Sequence, residues 1–301
     1  MAGSGADWDL FQSLHAVLQA GSLSAAARGR GLTQPTLGRH IEALEQQLGA
    51  PLFIRSPRGL QPTELALSLR PHLEEMAAAA GAAQRDASGA ADPAVGCVRL
   101  TASNVVGAEI LPPILTSFRR DHPRIDIEMV LSDRNEDLSR RDADIAVRMA
   151  RPTQQSLVAR KIGVLGLGFY ATPEYVERYG APTDIEALRA HTVIGFDTFP
   201  AGLKDVLPPG LEVSRSTFGF RSDSDAAQLA ALKAGLGVAA CLHVIGRRNG
   251  LVRVLPDMQV FELEMWLAMH ELQRTNPRMR QMFDHLAEGL TAVVAENRAD
   301  G

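Results

Sequence analysis

Residues 34–40 read Gln-Pro-Thr-Leu-Gly-Arg-His, a run rich in the side chains that recognise nucleic acid. Arg39 offers a bidentate fork to guanine or to a phosphate, Gln34 matches the donor and acceptor of adenine, and the Thr36 methyl suits thymine. Thr33, Pro35 and His40 share that exposed side, and Arg28, Arg30, Arg55 and Arg58 flank it as phosphate anchors. Between residues 20 and 62 five arginines stand against two glutamates, a surplus of three positive charges in a chain of net charge −4. Affinity for a polyanion is therefore confined to one island and does not follow from overall charge. Read alone, the same residues also fit an ordinary solvated helix face.

No comparable grouping supports catalysis. The motifs GxxxxGK[ST], HExxH and GxSxG are missing, and Gly163, Gly166 and Gly168 have the wrong spacing for a dinucleotide loop. The eight histidines are scattered, and Cys97 and Cys241 form neither a disulfide framework nor half of a zinc site. We expect no enzyme, no metal and no cofactor. Met1 to Leu10 lacks the basic flank of a signal peptide, and the longest apolar runs fall short of the roughly 20 residues that span a bilayer. A cytoplasmic protein without a membrane partner is the expectation.

The candidate reading surface needs elements to hold it. Leu10, Leu14, Val17 and Leu18 keep the spacing of a buried helix face, which Gly21 ends. Ser22 can cap a short second helix through Ala27, broken by Gly29 and Gly31. Thr33 can cap a third with Pro35 in its first turn, Leu37, Ile41, Leu44 and Leu48 as its apolar stripe and Gly49 as its stop. Two short helices, a turn and a helix with a polar outer face describe a helix-turn-helix. The β-prone runs around Ser56-Pro57-Arg58-Gly59 read as a two-stranded wing.

From Thr63 the pattern becomes a long helix with Leu65, Leu69, Leu73, Met76 and Ala80 on one side and Pro71 expected to bend it. That stripe predicts pairing with a second copy. From Ala77 to Ala91 nine of fifteen residues are Ala, and Ser88 to Pro93 then ends the helical pattern, which marks a domain boundary. Beyond it, β-rich runs at 98–101, 125–130, 144–148, 167–171, 193–196 and 238–241 alternate with helical ones, the pattern of an α/β sheet. A last helix is expected over 277–294, with Met282, Phe283, Leu286, Leu290 and Val293 inward.

The run from Leu10-Phe11 through Gly21-Ser22-Leu23-Ser24-Ala25-Ala26-Ala27 and Leu32 to Glu45, ending in Leu48-Gly49-Ala50-Pro51-Leu52-Phe53-Ile54-Arg55, resembles the winged helix-turn-helix of LysR-type transcriptional regulators. The likeness continues at Leu111-Pro112-Pro113, Asp144-Ile145-Ala146-Val147-Arg148, Tyr170-Ala171-Thr172-Pro173 and Ala234-Gly235-Leu236-Gly237-Val238. Two places depart from the family: Gly38 where Ser is common, and Glu64-Leu65-Ala66-Leu67 where a small Ala-Gly pair is usual.

The resemblance implies an α/β protein with three parts. These are a winged helix-turn-helix at 1–62, a linker and dimerisation helix with its hinge at 63–93, and an effector-binding domain at 94–301. The last would comprise two doubly wound subdomains like those of periplasmic binding proteins, the first from 94–162 and 264–301, the second from 163–263. Ligands of open α/β sheets bind beyond strand carboxyl ends, where helix N-termini attract anions. Thr101, Ser103 and Asn104 occupy such a place, Arg148 would supply a counter-charge, Phe196 an apolar wall, and Ser222 the facing edge. The implied partners are double-stranded operator DNA, a small effector that carries a carboxylate, RNA polymerase and further copies in a homodimer or homotetramer. A constitutive winged-helix regulator without an effector is the alternative. Arg outnumbers Lys 28 to 3, which with abundant Ala fits a GC-rich bacterial gene.

Overall fold

The computed structural model describes residues 7–56, 59–88, 92, 94–132, 143–154, 156–198, 214–258 and 260–298. These fall into two compact units, residues up to 84 and residues from 85 onward. The division lies inside the long helix, a few residues before the boundary read at 88–93, part of which is outside the described residues.

In the first unit the elements are α1 (Trp8–Ala20), α2 (Leu23–Gly29), α3 (Gln34–Leu48), the strands β1 (Phe53–Ser56) and β2 (Gly59–Pro62), and α4 (Glu64–Ser88), which continues into the second unit. Short polar side chains start the helices. The Ser22 hydroxyl accepts from the Ala25 amide at 3.2 Å, that of Thr33 from Thr36 at 3.3 Å, and that of Thr63 from Ala66 at 3.2 Å. Gly21 and Gly49 close α1 and α3 in the left-handed region, at φ of 68° and 69°, where a side chain would be strained. β1 and β2 pair antiparallel from Phe53 opposite Pro62 to Ser56 opposite Gly59.

Leu14, Val17, Ala26, Ala27, Leu37, Ile41, Leu44, Leu52, Ala66 and Leu73 form one core, each fully buried leucine contributing roughly 1.5–3 kcal/mol of transfer free energy. Two expectations change here. Leu48 does not complete the α3 stripe but is 38% exposed, at the last turn before Gly49 ends the helix. The α4 stripe is also not left wholly for a partner. Leu73 is buried and Leu65 and Leu69 pack against the unit's own core, while Leu67 and Met76 stay exposed. α4 is assigned as one continuous 25-residue helix through Pro71.

The second unit is built on a seven-stranded mixed sheet. Its strands are β3 (Gly96–Ala102), β4 (Ile125–Leu131), β5 (Ile145–Arg148), β6 (Leu157–Ala171), β9 (Ala239–Leu242), β10 (Val252–Val254) and β11 (Phe261–His270). The order is β10-β6-β11-β5-β3-β4, with β9 also on β6. β3 lies parallel to β4 and β5, whereas β11 runs antiparallel to both β5 and β6. The first part of β6 pairs with β11 and its end with β9 and β10, so this strand passes from one half of the sheet to the other.

A π turn at Val106–Ile110 leads into α5 (Leu111–Asp121), and α6 (Pro173–Tyr179), α7 (Asp225–Lys233), α8 (His243–Arg248) and α9 (Pro277–Arg298) complete the packing. A two-stranded parallel pair, β7 (Ile194–Gly195) and β8 (Phe220–Arg221), stands beside the main sheet. α9 buries Met282, Phe283, Leu286, Leu290 and Val293, as its periodicity predicts. β6 is ten residues longer at its start than the run read at 167–171, because Arg160 and Lys161 interrupt the apolar signal where the strand is exposed on both faces.

Candidate DNA interface and effector cleft

Within the first unit the residues expected to read DNA divide into two sets. Arg28, Thr33, Gln34, Pro35 and Arg39 are exposed and Thr36 is half-buried, all at the turn or along the outer side of α3. Gln34 is steadied by the Ser24 hydroxyl, which donates to its Oε1 at 2.9 Å and so ties α2 to the first turn of α3. Among the wing residues, Arg55 lies on β1 with its side chain outside the described residues, and Arg58 lies outside them altogether.

The other set turns inward. Arg30 does not present its guanidinium outward as a phosphate anchor would. Nη1 donates to the Asp9 carbonyl at 3.1 Å and to the Ser13 hydroxyl at 2.6 Å, and Nη2 to the Asp9 carboxylate at 3.1 Å and Gln12 Oε1 at 2.7 Å. His40 likewise faces the interior of the unit, its Nδ1 at 2.8 Å from the hydroxyl of Ser13, which is fully buried. Ser13, Arg30 and His40 thus bolt the end of α2 and the middle of α3 to α1. The sequence reading took Arg30 for a phosphate anchor and His40 for a groove-facing residue because periodicity gives a face but not its neighbours.

Glu45 is a second positioning residue that the reading missed. Its Oε1 accepts from the amides of Leu52 and Phe53 at 2.6 and 3.2 Å, which fixes the first strand of the wing on the end of α3. An acidic residue within a basic island, just before a turn, is the signal that could have found it.

In the second unit the expected effector residues are partly assembled. Thr101 is the penultimate residue of β3 and Arg148 ends β5; both are buried, and Arg148 Nη2 donates to Thr101 Oγ1 at 2.8 Å. Ser103 directly precedes the helical residues that lead into α5, and its carbonyl accepts from the Gly107 amide at 2.9 Å. Ser103, Asn104, Phe196 and Ser222 are half-buried. The Ser222 hydroxyl accepts from the Ser224 amide at 3.2 Å and Gln228 donates to its carbonyl at 2.7 Å, so Ser222 helps to shape the start of α7.

A recess of about 120 Å³ opens next to this loop, lined by Val105, Ala108, Ala226, Leu229 and Ala230 and bridged by the Lys233–Glu109 ion pair at 3.0 Å. It is smaller than the few hundred Å³ typical of ligand pockets.

Behind β5 lies a buried ionic clamp. Asp144 accepts from Arg85 Nε at 3.1 Å and from the Arg99 amide at 2.8 Å, and the nearly inaccessible Arg278 donates to the carbonyls of Val95 and Arg85 at 2.7 and 2.8 Å. The four-residue strand β5 therefore carries a linker-helix contact just before it and the Arg148–Thr101 pair at its end. Burial pushes the Cys241 thiol up to about 12, and burial followed by the Glu128 carboxylate raises that of Cys97, so neither is an activated nucleophile. Among the described residues no group of His, Cys, Asp and Glu could hold a metal ion, and no helix is long and apolar enough to cross a membrane.

Comparison with known proteins covers almost the whole chain. Residues 8–67 match the family described as bacterial regulatory helix-turn-helix protein, lysR family, and residues 91–291 match the LysR substrate binding domain. A probable HTH-type transcriptional regulator, LtrA of Klebsiella pneumoniae, is 27% identical over 288 residues and covers 93% of each chain. The full-length structure of AphB, described as a virulence activator of Vibrio cholerae, superposes with a TM-score of 0.61 at 22% identity over 94% of this chain and 99% of that one. Full-length CbnR in complex with its target DNA gives 0.65 at 16% identity, again over 94% and 99%.

Proposed function

The chain belongs to the LysR-type transcriptional regulators, and from that premise we propose that it places α3 in the major groove of a specific operator, with the wing against the phosphate backbone. The parts divide as 1–62 for DNA, 63–93 for linking and dimerisation, and 94–301 for sensing. It acts in the cytoplasm as a homodimer or homotetramer, influences RNA polymerase at its promoters and catalyses no reaction. The observation that carries this reading is the exposed row Gln34, Pro35 and Arg39, held rigid from behind by Ser13, Arg30 and His40. A reading surface must be pre-organised if base contacts are to discriminate. The exposed apolar residues Leu67 and Met76 on α4 support self-association.

Arg39→Ala should reduce the preference for operator over random duplex by about 1–3 kcal/mol, the worth of a bidentate base contact. Titration of both duplexes at several salt concentrations measures it. Equal weakening of the two would make Arg39 a phosphate anchor instead.

For sensing, the proposal is a small carboxylate-bearing effector held between the two subdomains. Ser103 and Asn104 would donate to it at a helix N-terminus, Phe196 and Ser222 would line the facing edge, and Arg148 would leave Thr101 to supply the counter-charge. Ser103→Ala should then abolish stabilisation by the one carboxylate in a thermal-shift panel that raises the melting point of the wild type, with basal DNA binding intact. A constitutive regulator is the second reading. It is favoured by the bond that Arg148 and Thr101 already make to each other and by the small recess beside their loop. A panel without any stabilising compound would decide for it.

A further inference from the structure

The outer side of α3 carries one residue that the intramolecular packing does not explain. Gly38 lies in the helix interior, one turn beyond Gln34 and one turn before Glu42, both exposed, and directly beside Arg39. Glycine is among the poorest helix formers, because it loses the most backbone freedom and adds no side-chain contact. A helical glycine usually has an internal cause, as Gly289 of α9 does, where a Cβ would meet Ile114 at 2.7 Å. Among the described residues Gly38 has no such cause. A Cβ there would have nothing within 4 Å, and its φ is not in the left-handed region. The space beside its Cα is thus open toward whatever α3 faces, so a group brought against that side of the helix can use it.

This step rests on the reading that α3 enters the major groove. We infer that Gly38 is a specificity-determining residue whose empty Cβ position receives the C5-methyl group of a thymine next to the base read by Arg39. Glycine at this point offers no side-chain donor or acceptor, and in a helix interior its amide is already engaged. What it offers is room beside an apolar Cα. Among the groups on the major-groove edges of the bases, the thymine methyl is the one that asks for room and apolar contact instead of a hydrogen-bond partner. A serine at 38 would fill that room and turn the same position into a hydrogen-bonding one.

In vitro selection from a random duplex library with the full-length chain supplies the preferred site. That site is then titrated with wild type, Gly38→Ala and Gly38→Ser, using duplexes in which each thymine in turn is replaced by uracil, which lacks the methyl. The wild type should lose about fivefold in affinity at one uracil position per half-site. Gly38→Ala should bind the unmodified site several-fold more weakly, be indifferent to that uracil, keep its affinity for random duplex and melt at a higher temperature than wild type. The gain in melting temperature shows that the variant is folded, so the loss belongs to the groove. If the alanine and serine variants select the same site as wild type and respond to uracil in the same way, Gly38 has no part in reading and the inference is overturned. If the wild type itself selects no motif, the DNA-reading proposal fails first and takes this inference with it.

Discussion

The two units stabilise their polar groups in opposite ways. In the first, mostly partly exposed charged and hydroxyl side chains, with Ser13 as the buried exception, connect helices that are near in sequence: Ser22, Thr33 and Thr63 start them, Arg30 and Ser13 bolt them, Glu45 holds the wing. In the second, Asp144 and Arg278 are almost completely buried and join segments far apart in sequence, with Arg278 reaching back to Val95 and Arg85. The difference teaches where rigidity is needed. A small reading head must hold one exposed face in register, so short-range bolts suffice. A sensing domain that joins a linker helix to a sheet needs an anchor that water does not weaken.

One tryptophan lies in each unit, Trp8 on α1 and Trp266 on β11, so Trp8→Phe and Trp266→Phe backgrounds report each unit's unfolding separately by fluorescence. The largest effect expected is that of Asp144→Ala. It leaves Arg85, largely buried, without its carboxylate and should destabilise the second unit by about 3–5 kcal/mol, read at Trp266 in denaturant titrations. A loss below 1 kcal/mol would mean that water replaces the pair and would remove the contrast between the units.

Next in size is a paired test within the first unit. Arg30→Ala should cost about 1–3 kcal/mol read at Trp8, since a guanidinium with four hydrogen-bond acceptors is removed. Arg39→Ala, exposed and with no side-chain partner to lose among the described residues, should stay within about 0.5 kcal/mol. Equal destabilisation would abolish the division between bolting and reading arginines.

The smallest effect concerns pH. Burial, with Arg70 adding to it and Glu74 opposing it, lowers the pKa of His15 on α1 below 6.5. The folded first unit therefore prefers the neutral ring. At pH above 6.5 both states are neutral and His15 makes no pH-dependent contribution; as pH falls through 6.5 the unfolded chain binds the proton first and stability declines. The decline stops below the folded-state pKa. His15→Gln should flatten the Trp8-reported midpoint between pH 7 and 5 and leave the Trp266-reported one unchanged. A slope that survives the substitution would assign the titration to another group.

Much of this was legible in the residues. The caps at Ser22 and Thr33, the stops at Gly21 and Gly49, the wing and the inner face of α9 were all read correctly, because each depends on a few neighbours along the chain. The helix-turn-helix resemblance likewise rests on local spacing, and the matched family bears it out. The inward partners of Arg30 and His40 were not legible and Ser13 and Glu45 were passed over, because their partners sit on other elements. Whether an arginine on a helix points to water or to a serine 17 residues away depends on how helices cross, and no periodicity records that.

The sequence by itself determined the elements, their caps and the island of positive charge, since backbone preference and hydrophobic period act over a turn or two. The tertiary structure decided which arginines face out, that Leu65, Leu69 and Leu73 of α4 serve their own unit's core, and that Asp144 and Arg148, at the two ends of β5, meet Arg85 and Thr101. Those outcomes are set by which surfaces exclude water from one another, and buried polar groups must then find partners wherever the fold has brought them.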